Sequence, residues 1–185
     1  SPRVTTYMDG TFIGQSRNLF SGLFDLQQLE LLRGPQGTLY GKSSPAGAIT
    51  IRSANPNLEQ VDGFIRQSFN DQDGSNTQVA ASLPLIKNEL GVRISGLYAN
   101  NENSGVYNRT LDRDVETKTK AYRIVMLWEP TSNFDARLSW HHIRDDADAD
   151  PVVEGGGLDF DDRIALAEFD SRYKNKAEFL ILESN

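Results

Sequence analysis

The sequence predicts a mixed fold in which a small α+β unit is followed by a series of antiparallel strands. Three observations support this prediction. Glycine is concentrated near the start, apolar and polar residues alternate through most of the remainder, and the connections between alternating segments differ systematically in length. Alternation with a period of two is typical of a strand whose two faces meet different surroundings. The change in pattern near residue 56 divides the chain into units 1–55 and 56–185.

The first unit is predicted to be small and rich in tight turns. Short apolar runs in it are separated by glycines at positions 10, 14, 22, 34, 37, 41 and 47, and glycine is a strong marker of turns. Its one helical candidate is Asp25 to Leu29, which is too short to be stable without tertiary packing.

The second unit is predicted to contain six strands. Alternation is clearest at residues 120–129 and 134–142, and it extends to 63–70, 78–85, 92–98 and 174–183. In the two clearest segments one face is apolar, and we expect that face to point outward, with Ile124, Met126, Ala136 and Leu138 on it. Val125 is expected to point inward.

The connections favour a transmembrane β-barrel over a soluble β-sandwich. They span residues 71–76, 86–88, 101–117, 130–133 and 145–173, so that after the first they alternate between short and long. Outer-membrane barrels combine short periplasmic turns with longer extracellular loops. Tyr122 and Trp128, about 20 Å apart along one face at ~3.3 Å per residue, could mark the two edges of an apolar band. A sandwich shows the same alternation, so alternation alone does not decide.

The composition excludes several classes of protein. The longest unbroken apolar run, Ile124 to Trp128, has five residues, whereas a membrane-spanning helix needs about 20. The net charge of −7 argues against binding to nucleic acid. The chain has no cysteine, which excludes thiolate chemistry. No serine, histidine and carboxylate set stands out as catalytic.

Three linked motifs lie within residues 29–51: an acidic and apolar strand ending in Arg33-Gly34-Pro35, a Leu39-Tyr40-Gly41 turn, and the strand Gly47-Ala48-Ile49-Thr50-Ile51. Together they resemble the C-terminal half of the plug domain of TonB-dependent outer-membrane receptors. Tyr7-Met8-Asp9-Gly10 is similar to the Tyr-Val-Asp-Gly segment upstream in that plug. Residues 56–185 agree with the family only as barrel strands would.

The resemblance implies that residues 1–55 are the C-terminal part of a plug and that 56–185 begin a barrel, with about six of an expected 22 strands. The chain is then expected to be part of a longer protein. It further implies uptake of a scarce nutrient across the outer membrane of a Gram-negative bacterium, with no enzymatic activity and no cofactor. The expected partners are the TonB complex, outer-membrane lipid and a ligand such as a siderophore, a vitamin or a glycan. A signalling receptor of the same family and a soluble β-sandwich adhesion or binding module remain alternatives.

The resemblance also suggests site residues. In the family, the segment after Asp-Gly is an apical plug loop exposed to incoming ligand, which here corresponds to Gln15, Ser16, Arg17, Asn18 and Phe20. Plug arginines in the family form salt bridges with barrel-wall glutamates, and Arg33 is the candidate for such a pair.

Two further groups were considered as metal sites. His141 and His142 are neighbours on a predicted strand, so they point to opposite faces and cannot chelate one ion together. We expect both to be solvated or at the rim. The predicted loop 145–162 is acidic, and Asp146, Asp148 and Asp150 alternate as the ligands of a hard cation often do. A loop calcium site is therefore a hypothesis, and a solvated loop is the favoured interpretation.

Overall fold

The computed structural model describes residues 4–14, 22–34, 46–71, 74–148, 164–165 and 172–185. Every regular element in these ranges is a strand, and the strands form two sheets. The prediction of a helix at Asp25 to Leu29 is wrong. Those residues enter a strand in which Leu29 pairs with Ile51, because pairing with a neighbouring strand outweighs a weak local preference. Within the described ranges there is no helix that could cross a membrane.

The small sheet contains four strands: β1 (Val4–Met8), β2 (Thr11–Ile13), β3 (Leu26–Arg33) and β4 (Gly47–Ser53). Their order is β2-β1-β4-β3, with β1 and β4 parallel and the other pairs antiparallel. Asp9 and Gly10 join β1 to β2 with φ angles of 45° and 72°. An Asp-Gly pair with two positive φ angles is the preferred two-residue hairpin turn, because its twist matches that of the strands.

Gly47 begins β4 at a position that no other residue could occupy without a shift of the backbone. Its φ is +139°, and a Cβ atom there would lie 2.2 Å from the carbonyl oxygen of Leu32. Only glycine tolerates both the angle and the close approach. The glycine that opens the motif strand is therefore required by the contact between β3 and β4.

The large sheet is built from consecutive antiparallel strands, with one short addition. Its order is β11-β9-β8-β7-β6-β5, and β10 pairs in parallel with β7. The strands are β5 (Asp62–Phe69), β6 (Ser75–Ile86), β7 (Leu90–Asn108), β8 (Arg113–Thr131), β9 (Phe134–Asp148), β10 (Ile164–Ala165) and β11 (Arg172–Ser184). The six long strands match the six predicted ones. Among the described residues the sheet is open, with β5 and β11 at its edges.

Several strands run further than the alternation predicted. The expected connection 101–117 is wrong, since β7 and β8 stay paired to Glu102 and Glu116 and, after a shift in register, pair again from Tyr107 with Asp114 to Asn108 with Arg113. The predicted acidic loop was expected to begin at residue 145, but β9 continues to Asp148. In both places the residues are polar, which is typical of loops, yet backbone pairing with the next strand continues.

The two faces of the large sheet have opposite character. Met126 is 39% exposed, whereas its neighbour Val125 is 1% exposed. Ile124 and Leu138 share the exposed face, and Ala136 on that face is half-buried. The predicted assignment of the faces is thus confirmed.

The small sheet packs against the inward face of the large sheet. Met8, Phe24 and Ile51 from the small sheet and its connections form one apolar cluster with Leu97, Ala99, Ala121 and Ile143 of β7, β8 and β9. Burial of this surface is a main source of adhesion between the sheets. Polar residues, described next, lie beside this cluster.

Candidate functional site

Three arginines lie on three adjacent strands of the large sheet and point inward. They are Arg93 on β7, Arg123 on β8 and Arg137 on β9. Arg123 and Arg137 are among the largest fully enclosed side chains of the described structure, and the Arg93 side chain is only 11% exposed. A buried guanidinium is costly unless its donors are paired. Each of the three has at least one partner on the small sheet or its connections.

Arg137 pairs with Asp9, the residue of the β1–β2 turn. Its Nη1 lies 3.3 Å from Asp9 Oδ1, and the two side chains are 1% and 0% exposed. Arg137 Nη2 donates to Ser53 Oγ at 2.5 Å and to the Ser53 carbonyl at 3.2 Å, and Nε donates to Asn55 Oδ1 at 2.8 Å. The arginine therefore joins the turn, the end of β4 and the segment that leaves it.

His141 completes the surroundings of Asp9. Its Nε2 lies 3.2 Å from Asp9 Oδ2, and its Nδ1 accepts a hydrogen bond of 3.1 Å from Arg123 Nε. An Nδ1 that accepts carries no proton, so this network assigns the proton to Nε2, which donates to Asp9. The ring also stacks on Phe179, with centroids 4.6 Å apart. The expectation of a solvated or rim histidine is wrong for His141, which is buried. His142 lies on the opposite face, as predicted.

Asp9 is held as a carboxylate. Burial by itself would raise the pKa of Asp9, but the hydrogen bond from His141, the charge of Arg137 and the two donors of Ser53 outweigh burial. The pKa of Asp9 therefore lies well below its usual range. Ser53 N and Oγ donate to this carboxylate at 2.9 and 2.7 Å.

Arg123 contacts backbone carbonyl groups, and among the described residues no carboxylate forms an ion pair with it. Its Nη1 donates to the carbonyls of Phe24 and Asp25 at 2.8 and 3.0 Å, and Nη2 reaches the carbonyl of Gly22 at 3.4 Å. The guanidinium also lies 4.7 Å from the centre of the Phe24 ring. This one side chain fixes the backbone that precedes β3.

Arg93 pairs with the side chain of Asp25. Its Nε and Nη2 lie 2.9 and 2.5 Å from the two carboxylate oxygens, which is a two-point contact. Nη1 also donates to Ser82 Oγ at 2.7 Å and to Asp62 at 3.3 Å. Two-point arginine–carboxylate contacts are both strong and directional. Asp25 itself has a φ of 49°, so the chain adopts a rare backbone angle where it meets the large sheet.

We call this set the intersheet polar contact: Asp9, Asp25, Ser53, Arg93, Arg123, Arg137 and His141. It contains charges and hydrogen bonds between two sheets. Among the described residues no group of three histidine, aspartate or glutamate side chains is placed to hold a metal ion. The ion pairs and hydrogen bonds of the contact attach one sheet to the other.

The residues expected to bind ligand, Gln15, Ser16, Arg17, Asn18 and Phe20, lie outside the described residues. Of the three aspartates of the calcium hypothesis, Asp150 is also outside. Asp146 and Asp148 lie on β9, where Asp148 pairs with Arg113 at 3.1 Å and accepts from the backbone N–H of Glu116. The calcium site stays a prediction.

Arg33 is exposed at the end of β3, paired in register with Gly47. Its salt bridge to the barrel wall stays a prediction. A contact of the expected kind is formed by another residue of the small sheet: Arg52 on β4 forms an ion pair with Glu183 on β11. Glu183 also accepts from Arg137 at 2.8 Å.

The intersheet polar contact was not predicted from the sequence, although His141 was a candidate metal ligand and Asp9 lies in one of the motifs. A signal was present, since Arg123, Arg137 and His141 fall on the polar side of the alternating strands. Two or more large cations on the inward face of adjacent strands require partners from another part of the chain. The partners could not be identified from the spacing of residues in the sequence, because Asp9 and Arg137 are 128 positions apart.

No family model matches the chain. Curated relatives do. The pesticin receptor of Yersinia pestis is 41% identical over 86 residues, which cover 46% of this chain and 12% of the receptor. The ferrioxamine B receptor of Salmonella typhimurium is 33% identical over 98 residues, which cover 49% of this chain and 14% of the receptor. The chain thus spans a small fraction of the length of the curated relatives that it matches.

Solved structures have the same fold. The ferric yersiniabactin uptake receptor FyuA of Yersinia pestis superposes with a TM-score of 0.70 at 27% identity, covering 80% of this chain and 23% of that one. The ferripyoverdine receptor of the outer membrane of Pseudomonas aeruginosa gives a TM-score of 0.69 over 97% of this chain and 25% of that one. At 16% identity, the second likeness concerns the fold alone.

Antiparallel strands that are apolar on the outward face and polar on the inward face are typical of the class of outer-membrane β-barrel proteins. In its motifs, its curated relatives and its fold, the chain is similar to TonB-dependent receptors. Its relatives are transport receptors rather than enzymes.

Proposed function

We propose that the protein containing this chain takes up an iron–siderophore complex across the outer membrane in a TonB-dependent way. The observation that carries this proposal is the reversed polarity of the large sheet, which exposes Ile124 and Met126 and encloses Arg123 and Arg137. An apolar exterior suits lipid, and a polar interior suits a plugged lumen. The names of the relatives, which include siderophore receptors, support the choice of ligand class.

In this proposal residues 1–55 are the C-terminal part of the plug and residues 56–185 are the first strands of the barrel. The small sheet between Val4 and Ser53 is then a piece of the plug, and the large sheet from Asp62 to Ser184 is a piece of the wall. The intersheet polar contact attaches one to the other. Its anchors on the plug side are the β1–β2 turn with Asp9, Ser53 at the end of β4 and the segment 22–25.

The chemistry of the contact suits a plug that must be released and recaptured. When such a contact opens, its ionic and hydrogen-bonded groups bind water in place of their protein partners. The net contribution of each neutral hydrogen bond to stability is therefore only about 1 kcal/mol. Charge-assisted pairs such as Arg93 with Asp25 also require a definite geometry. Pulling on the plug through the TonB complex would exchange these partners for water, and recapture would restore the same register.

Ligand recognition is proposed for the plug segment between β2 and the segment 22–25, with Gln15, Ser16, Arg17, Asn18 and Phe20. An arginine, amides and an aromatic ring supply the donors and the stacking surface that an oxygen-rich iron chelate requires. The ion pair of Arg33 with a wall glutamate is a further part of the proposed plug attachment.

Uptake by the full-length receptor tests the proposal. The complete gene is expressed in a Gram-negative strain that lacks its own siderophore receptors, and accumulation of radioactive iron from a panel of ferric siderophores is measured with and without a functional TonB. We expect accumulation that requires TonB for at least one siderophore. Accumulation that is equal in the TonB-deficient strain would contradict energised transport.

The double variant Arg17→Ala with Asn18→Ala tests the site. We expect weaker binding of the transported siderophore with normal assembly of the barrel, measured as heat-modifiable migration in gels. Unchanged affinity together with lower stability would mean that this segment is structural. Gln28→Ala on the exposed part of β3 is a matched control outside the proposed site.

A further inference from the structure

The small sheet is attached to the large sheet at two separate places. The first, which we call the turn anchor, consists of Asp9 in the β1–β2 turn and Ser53 at the end of β4, and Arg137 contacts both. The second, which we call the segment anchor, consists of residues 22–25, whose carbonyl groups accept hydrogen bonds from Arg123. Independent anchors would open one at a time under a pulling force, whereas coupled anchors would open together.

His141 lies between the two anchors. Its Nε2 lies 3.2 Å from Asp9 Oδ2, and its Nδ1 accepts a hydrogen bond of 3.1 Å from Arg123 Nε. Among the residues that the structure describes, it is the one side chain that is hydrogen bonded to both Asp9 and Arg123. A group of the turn anchor and the arginine that holds the segment anchor therefore act on opposite nitrogens of a single ring.

The two contacts of this ring depend on each other. Arg123 can only donate, so Nδ1 must accept, and the proton of the neutral ring is then on Nε2, where it faces Asp9. A carboxylate that accepts from one ring nitrogen makes the other nitrogen a stronger acceptor. The hydroxyl of Ser139, 3.1 Å from Nε2, is neutral and does not supply that effect. Loss of Asp9 therefore weakens the contact with Arg123, and loss of Arg123 weakens the contact with Asp9.

Burial keeps water from replacing either contact. The side chains of His141 and Asp9 are 2% and 0% exposed. The ring is stacked on Phe179 of β11, with 14° between the two planes, and this contact holds the plane of the imidazole in place. A buried nitrogen that loses its partner costs free energy, because solvent does not replace the lost hydrogen bond. A change at one anchor is therefore passed to the other through the ring.

We infer that His141 is a positioning residue that couples the two anchors, so that the small sheet leaves the large sheet as one unit. The inference deepens the proposed release of the plug and rests on that proposal for its role in transport. A plug held in this way stays closed until both anchors give way. Both nitrogens of the ring are needed, since each serves a different anchor.

Hydrogen exchange in the purified full-length receptor, without TonB or siderophore, tests the coupling. Exchange is followed by mass spectrometry in a turn peptide, 5–13, and a segment peptide, 22–32, since exchange rates report local opening. Asp9→Gly, which tolerates the φ of 45° at that position, should raise exchange in the segment peptide about tenfold. Arg123→Met should raise exchange in the turn peptide by a similar factor, because members of one hydrogen-bond network are not independent.

Arg93→Met is the matched control in the wild-type background. Arg93 holds the same segment through Asp25, at 2.5 Å, and it contacts neither Asp9 nor His141. It also measures any coupling through the backbone, where the N–H of Ala54 donates to the carbonyl of Asp25 at 3.1 Å. Its effect on the turn peptide should be about twofold at most, the limit for sites that share no partner.

Three variants of His141 identify the ring as the link. His141→Leu fills the space without either nitrogen, His141→Gln keeps a polar group near the position of Nε2, and His141→Asn keeps one near Nδ1. In each of these backgrounds the effect of Asp9→Gly on the segment peptide should fall from about tenfold to about twofold. A residue with only a structural role would lower stability and leave the tenfold effect in place.

Two results would overturn the inference. One is an unchanged effect of Asp9→Gly on the segment peptide in the His141 variants. The other is an equal effect of Arg93→Met and Arg123→Met on the turn peptide, which needs no change at His141 and decides the matter even if those variants do not assemble. Siderophore uptake is scored separately: coupled exchange in a receptor that transports nothing would contradict only the proposed function.

Discussion

The two faces of the large sheet reverse the arrangement of a water-soluble β-sandwich. A soluble sheet buries its apolar side chains and exposes its polar ones. Here Ile124, Met126 and Leu138 are exposed, whereas Arg123 and Arg137 are enclosed. The alternation in the sequence is the same in both classes, so alternation predicts strands and does not predict which face is buried. The enclosed arginine side chains on the polar face distinguish this sheet from the sheet of a soluble β-sandwich.

The largest expected effect is on the inward face. Asp9→Ala leaves Arg137 without its buried carboxylate, and breaking a buried ion pair by removing one partner costs about 3–5 kcal/mol. We expect a loss of this size in the free energy of unfolding of the full-length receptor, measured with urea in lipid vesicles. Arg137→Leu should cost a similar amount.

The double variant of Asp9→Ala and Arg137→Leu is the control for this pair. Its cost should be less than the sum of the two single costs, because residues in direct contact couple in a double-mutant cycle. Additive costs would mean that the two side chains do not act as a pair.

A charge on the outward face should have the next largest effect. Met126→Arg places a cation in the apolar band and should cost about 2–4 kcal/mol near the midplane. Gln78→Arg, at a half-buried inward position of β6, is the matched control and should cost far less. Equal losses in the free energy of unfolding at the two sites would contradict the assignment of the faces.

Acid should weaken the inward contact only at low pH. The folded-state pKa of Asp9 is lowered, so its ionised form stabilises the folded protein at every pH above the unfolded pKa of about 3.9. This stabilisation should be constant from pH 7 to about pH 5 and decline as the pH falls below about 4. The measurement is the difference in unfolding free energy between wild type and Asp9→Asn as a function of pH. A decline that begins near pH 6 would assign the effect to another group.

The smallest expected effect concerns the acidic residues beyond the apolar band. If Asp146 and Asp148 contribute to a calcium site, millimolar calcium should protect the chain from proteolysis near Asp150, and Asp146→Asn with Asp148→Asn should remove that protection. If the acidic segment is only solvated, calcium should leave the cleavage rate unchanged. The Arg113–Asp148 pair favours the second outcome, since it already occupies one of the carboxylates.

Periodicity predicted the six long strands and the outward residues because both depend on nearest neighbours in the sequence. The motif that begins at Gly47 was informative about the fold because the backbone angle of Gly47 allows no other residue at that position. Strand ends were predicted less well, because polar residues in β7 and β8 pair as strands beyond the apolar band. The Asp25–Leu29 helix failed because pairing with β4 decides that segment.

The intersheet polar contact could not be predicted from the sequence in the same way. Arg123 binds carbonyl groups of Gly22, Phe24 and Asp25, and a carbonyl has no signature in the sequence. His141 is buried because the β1–β2 turn brings Asp9 against it. Such contacts are set by how the two sheets are placed, which is a property of the folded chain.

The central claim, that the outward face of the large sheet meets lipid, can be tested at single positions of β8. The 185 residues contain no cysteine, so single cysteines at positions 122 to 128 can be spin-labelled in the full-length receptor, with any cysteines elsewhere replaced. Collision with oxygen, which concentrates in lipid, is compared with collision with a water-soluble nickel chelate. The account predicts high oxygen accessibility at 122, 124, 126 and 128 and low accessibility at 123, 125 and 127. Equal oxygen accessibility at all seven positions, or higher nickel accessibility at the even ones, would contradict it.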